Sequence, residues 1–172
     1  MTTDSTAILA KRARKLALAV VATANATTEP MLSFALGVER FLAPLRAVRE
    51  VASPNSITHI PGLPFVFAGL TTIRGDLIPV LDIRGFLGQP EQRPERPKWI
   101  LIVEADGVST GVWVDELHGL VAVDSTHLTA DHGLSIAAFR GRTSDLSTVI
   151  DVTAVAVAAG RSESTNSAAQ EA

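Results

Sequence analysis

The sequence predicts an all-β body, a barrel or sandwich of short strands. Three observations carry that reading. Apolar, β-branched runs recur at close spacing, glycine-bearing turns separate them, and Asp106-Gly107 lies between two of the strongest runs. Asp-Gly in that position is a hairpin signal because both turn residues must accept positive φ.

Met31 to Leu36 comes first, with Leu32, Phe34 and Leu36 alternating with smaller residues. Gly37 to Arg40 is the expected turn and Phe41 to Pro44 the returning strand. Val66 to Ile73 and Leu77 to Ile83 flank Arg74-Gly75-Asp76. Pro79 has no N–H to donate, which predicts an edge or a bulge there. Trp99 to Glu104 and Val108 to Val114 flank the Asp-Gly turn, and Leu117 to Val123 and Leu146 to Val152 supply further strands. Gln89 to Lys98, with three prolines among charged and amide side chains, cannot continue a sheet. That stretch near 89–98 is a surface connection expected to divide the body, residues 31–158, into two subdomains of similar size. No internal repeat of fixed period is present.

Two arms flank the body. Residues 1–29 contain Lys11, Arg12, Arg14 and Lys15 before the apolar run Leu16 to Ala22, the outline of a secretory signal. Leu9, Ala13, Leu16 and Val20 also make one helical stripe, with no glycine or proline from Thr3 to Ala24, so an N-terminal helical arm is the preferred reading. The run is too short to span a bilayer. Residues 159–172 carry no large apolar side chain and are expected to form a disordered tail.

Composition narrows the function. The 172 residues hold no cysteine, which removes disulfides, thiolate catalysis and sulfur-ligated metals. A net charge of −3 argues against general nucleic-acid binding. His127 and His132, with Asp131 between them, lack the tight spacing and third ligand of a metal site, and His118 reads as a half-buried strand residue. Asp115 and Glu116 are adjacent in a strand and point to opposite faces, so they cannot pair as acid and base. Asp76, Asp82 and Asp151 read as turn-formers or strand-end caps. Neither a Gly-x-Ser-x-Gly elbow nor a phosphate loop occurs. No catalytic residue, metal ligand or cofactor is nominated, and the chain is expected not to be an enzyme.

The informative run is Gly69 to Arg84. Two apolar strands meet at a tight turn with Arg74 at the rim, a five-donor fork suited to carboxylates or carbonyls on another protein. Thr72-Ile73-Arg74-Gly75, Ile78-Pro79-Val80 and Asp82-Ile83-Arg84 together resemble the signature of the CheW family of chemotaxis coupling proteins. Val48 to Val51, the proline-rich approach Ile60 to Pro64, Gly111 to Asp115 and Val149 to Val152 extend the resemblance across about Met31 to Ala158. Thr72 departs from the family's usual asparagine.

This resemblance implies two small five-stranded SH3-like barrels with a hydrophobic seam between them. It implies a cytoplasmic adaptor that joins the signalling tip of a methyl-accepting chemoreceptor to a CheA-type histidine kinase, with other CheW-like proteins as array neighbours. No nucleic acid or small-molecule substrate is implied. Carried over residue by residue, Val48, Glu50, Gly69, Ile73, Arg74 and Gly75 are expected at partner surfaces. Within the chain, Glu50 and Arg74 could also pair with each other, and Val48 and the two glycines could serve the core and the backbone alone. A similar adaptor in twitching or gliding motility is the alternative, and a ligand- or metal-binding barrel enzyme stands further off.

Overall fold

A computed structural model describes residues 28–90, 92, 94, 97–105, 107–129 and 138–167. Strands are β1 (Thr28–Leu36), β2 (Glu39–Pro44), β3 (Glu50–Ala52), β4 (Phe67–Ile73), β5 (Asp76–Leu81), β6 (Trp99–Ala105), β7 (Val108–Val114), β8 (Glu116–Asp124), β9 (Phe139–Arg142) and β10 (Thr148–Ile150), and one α-helix, α1 (Val152–Ser167), follows. The expected N-terminal helical arm and His132 lie outside the described residues. None of the described helices is long and apolar enough to cross a membrane.

The strands form two five-stranded sheets, ordered β8-β1-β2-β10-β9 and β3-β6-β7-β5-β4. The second sheet is inserted whole between β2 and β8 of the first. The expected boundary near 89–98 is therefore corrected. That connection joins β5 to β6, which lie in the same sheet, because sequence neighbours on a proline-rich linker need not belong to different cores. The two sheets also repeat one plan. Each has a lone strand beside a hairpin, then a parallel step to a second hairpin, Val80↔Gly111 in one sheet and Val149↔Leu42 in the other. A repeat of this kind, permuted in chain order, leaves no fixed period in the sequence.

Closed barrels, as expected from the resemblance, are not what the ladders show. Among the described residues, the chain beyond one edge strand of each sheet meets the opposite edge strand in a single isolated bridge, Thr58↔Leu70 after β3 and Thr129↔Arg142 after β8. Both bridges abut a glycine at strongly positive φ, Gly69 at 141° and Gly141 at 138°. An added Cβ on Gly69 would stand 2.3 Å from the Thr58 carbonyl oxygen, so only glycine allows that approach. Each glycine also sits at a register shift that bends its strand.

Alternation along the strands sorts side chains between interiors. Leu101 and Val103 of β6 enter the main core, whereas Ile100 and Ile102 pack with Ala68, Ile78, Val80 and Trp113 inside the second sheet. The main core lies between the sheets and draws Leu32, Phe34 and Phe41 from one and Leu81, Val112 and Val114 from the other. Burying each such side chain contributes about 1.5–3 kcal/mol. Met31, Leu42 and Val149 form a small third cluster.

Helix α1 corrects the reading of the C-terminus. Asp151 caps it, accepting a 3.0 Å hydrogen bond from the Ala154 amide, and Val152, Val155, Ala156 and Ala159 are buried in the main core. The expected disordered tail is helical through Ser167. Val152 and its successors looked like a strand end running into polar residues because alanine, the best helix former, carries little hydrophobic signal. Of the two settings expected for Pro79 the edge is corrected, while a register shift, between Phe67 and Gly69, does lie next to it opposite Val80. β5 is interior to its sheet, yet its parallel ladder with β7 begins only at Val80, so the missing N–H is not needed.

Candidate functional site: the Arg74 corner and its support

Two residues, Arg74 and Gly75, join β4 to β5, with Ile73 paired to Asp76 across the turn. Arg74 has φ 54° and Gly75 φ 94°, the two positive values a type I′ turn requires. Holding a non-glycine residue in that region costs about 1–2 kcal/mol, so the arginine is kept at the tip against local preference. Its side chain is 78% exposed and its Nη2 lies 2.8 Å from Oε1 of Glu50. An ion pair this open is worth about 0–1 kcal/mol. Ile73 is half-buried beside the turn.

Glu50 belongs to β3, the edge strand on the far side of that sheet, and pairs with Ile102 of β6. Arg49 beside it donates to Ser109 Oγ of β7 at 2.8 Å. Val48 is half-buried against the main core, where the chain leaves a short 3-10 turn, Leu45–Ala47, for β3. The structure thus joins Arg74 to Glu50 and places Val48 two residues from Glu50. Gly69 stands apart. It is buried beneath Ile57 and Thr58 and presents no surface, so its glycine serves the backbone.

One part of the site was misread from sequence. Asp82 and Arg84 looked like polar residues closing a strand. Arg84 is instead 1% exposed and Asp82 equally buried. Its Nη1 donates to Asp82 Oδ2 at 2.6 Å and its Nη2 to Asp115 Oδ1 at 2.5 Å. Asp115 also accepts the Trp113 indole N–H at 3.1 Å and, through Oδ2, the Gly37 amide at 2.7 Å. Burial pushes the Asp115 carboxyl up. The Arg84 hydrogen bond and charge, the Gly37 amide and the Trp113 indole outweigh it and hold it below the usual carboxylate value. The signal was present in sequence as two motif-borne aspartates and an arginine. Nothing local showed that residues 31 apart meet.

Among the described residues the remaining polar side chains do not assemble a reactive centre. His59 and His118 are exposed, which corrects His118 from half-buried, and His127 lies 3.9 Å from Asp124 on the surface. Among the described residues no group of three or more His, Asp or Glu could hold a metal.

Exposed aliphatic residues flank the turns of both sheets. Leu77 and Val108, 65% and 55% exposed, each stand three residues before the Val80↔Gly111 pair. In the other sheet Leu146 stands three residues before Val149, and it and Val38 in the β1–β2 turn are 73% and 99% exposed.

Comparison with known proteins gives this geometry a context. The protein PilI of Pseudomonas aeruginosa is 32% identical over 111 residues, 64% of this chain and 62% of that relative, so the match spans under two thirds of PilI's length. The chemotaxis protein CheW of Bacillus subtilis is 24% identical over 136 residues, 75% of this chain and 87% of the relative. The crystal structure of the scaffolding protein TtCheW from Thermoanaerobacter tengcongensis superposes with a TM-score of 0.62 at 25% identity, covering 74% of this chain and 91% of that one. The family model for the CheW-like domain matches residues 30–158, and the chain therefore belongs to the CheW-like domain family.

Proposed function

We propose that this protein is an adaptor that couples a chemoreceptor signalling tip to a CheA-type histidine kinase. The family is one of scaffolds rather than enzymes. The observation that carries the proposal is the Arg74 turn: an arginine held at positive φ, 78% exposed and tethered to Glu50. Strain retained at an exposed tip adds nothing to the fold and suits a residue whose partner is another molecule. Val48, Glu50, Ile73, Arg74 and Gly75 form the proposed contact region. Exposed Leu77 and Val108 in one sheet, and Val38 and Leu146 in the other, supply apolar patches through which two partners bind at once. The second contact is then made at raised local concentration, which favours arrays with other CheW-like proteins. Such a role places the chain in the cytoplasm, held at membrane receptors by its partners.

A related adaptor role in another receptor–kinase pathway, such as twitching or gliding motility, is the second reading. It is favoured by one observation: the 32% match is to a relative not named for chemotaxis, whereas the CheW relatives lie at 22–25%. Co-sedimentation with receptor-containing membranes and the kinase of each pathway tests both. The proposal expects kinase recovery to depend on this protein, and failure with every receptor–kinase pair refutes it.

A further inference from the structure

We propose that Arg84 is a positioning residue that fixes the angle between the two sheets, and hence the relative placement of the surfaces on each. The inference rests on the adaptor reading for its consequence, not for its geometry. Arg84 leaves β5 of the second sheet and, with Asp82 and Trp113, belongs to that sheet's framework. Asp115 is where the chain crosses into the first sheet. Its own amide donates to the Ala35 carbonyl of β1 at 3.1 Å, and its carboxylate accepts the Gly37 amide of the β1–β2 turn. The guanidinium therefore grips one carboxylate from each side of the crossing, at 2.6 Å and 2.5 Å.

The core between the sheets is built from apolar side chains, and apolar burial has no direction. A planar fork with two charged acceptors does. A buried cation among carboxylates is a weak source of stability beside apolar residues of the same volume, so its retention at the crossing points to orientation. The segment after Arg84 reinforces it. Gln89 donates its backbone N–H to the Arg84 carbonyl at 3.0 Å, and its Oε1 would lie 3.7 Å from a Cβ added at Gly37.

An adaptor that holds two partners at once needs this angle, because an error in it misplaces the second contact while leaving the first intact. Two variants test it: Arg84→Lys, which keeps the charge without the fork, and the combined Asp82→Leu, Arg84→Leu, Asp115→Asn, which leaves no buried charge unpaired. Residual dipolar couplings of the full chain read the inter-sheet orientation. In both variants the couplings within each sheet should fit the wild-type coordinates, while a single alignment tensor should no longer fit the two sheets together. Binding of the kinase regulatory domain alone should change less than about twofold, and recovery of the three-part complex with the receptor tip should fall about tenfold or more. One common tensor for both sheets in either variant overturns the inference. So does loss of folding in both, which would make the cluster a part of each sheet's stability. If the wild type binds no partner, the adaptor reading fails, yet the couplings still decide the role of Arg84.

Discussion

Replacing Gly69 by alanine separates a backbone role from a surface role at the position where the family resemblance and the structure diverge. The new Cβ would lie 2.3 Å from the Thr58 carbonyl oxygen and 2.8 Å from both Thr58 C and Ile57 Cγ2. Backbone atoms cannot swing aside, so the Thr58 strand must retreat. That retreat breaks the two hydrogen bonds of the bridge, Thr58 N–H to Leu70 O at 2.7 Å and Leu70 N–H to Thr58 O at 2.9 Å. Each is worth about 1 kcal/mol. Holding alanine at φ 141° adds about 1–3 kcal/mol. The sum is a loss of about 3–5 kcal/mol, or roughly 10 °C in Tm for a chain of this size. Gly75→Ala is the internal control. Its φ is 94° but nothing lies within 4 Å of the added atom, so only the backbone term of about 1–2 kcal/mol applies. Urea unfolding of both variants reads the difference directly. Equal losses would refute the close-approach argument and return Gly69 to the candidate partner surface.

Other outcomes follow from the same coordinates. Arg74→Gly relieves the positive-φ strain and gives up only an exposed ion pair, so chemical denaturation should show stability within about 1 kcal/mol of wild type while kinase coupling in a reconstituted assay is lost. The folded Asp115 carboxyl titrates below its unfolded value of about 3.9, so its stabilisation is present in full above that pH and is lost as pH falls through the lower folded value. Asp115→Asn should remove that acid limb from a plot of unfolding free energy against pH. Val155→Asp places a lone carboxylate at a fully buried helix position and should cost more than about 3 kcal/mol in thermal unfolding.

What could be read in advance depended on how local each signal was. The β6–β7 hairpin was legible because an Asp-Gly pair between apolar runs is a strong turn signal, and Arg74-Gly75 because a tight reversal between apolar runs has few solutions. β3 was not read as a strand, since three residues show no period. β9 was invisible for a different reason: Phe139-Arg-Gly-Arg142 has the composition of a loop and is held extended by β10 and by the Thr129 bridge. Asp82 and Arg84 read as residues closing a strand because charged residues are usually exposed, and their burial depends on Asp115, which lies beyond the next hairpin where the chain crosses between the sheets. The corner itself was the reverse case. Exposure of Arg74 followed from turn chemistry, and its pairing with Glu50, left open as one alternative, needed the β3 edge to be in place.

On the proposed function the Ile73-Arg74-Gly75 corner, with Val48 and Glu50, grips another macromolecule. Titrating isotope-labelled protein with the regulatory domain of a CheA-type kinase and with a receptor-tip fragment, and following backbone amide shifts, tests it most directly. Perturbations centred on Val48, Glu50 and Ile73 to Gly75 for at least one partner are the expected result. Saturating shifts confined to other surfaces, or none with either partner, would contradict it.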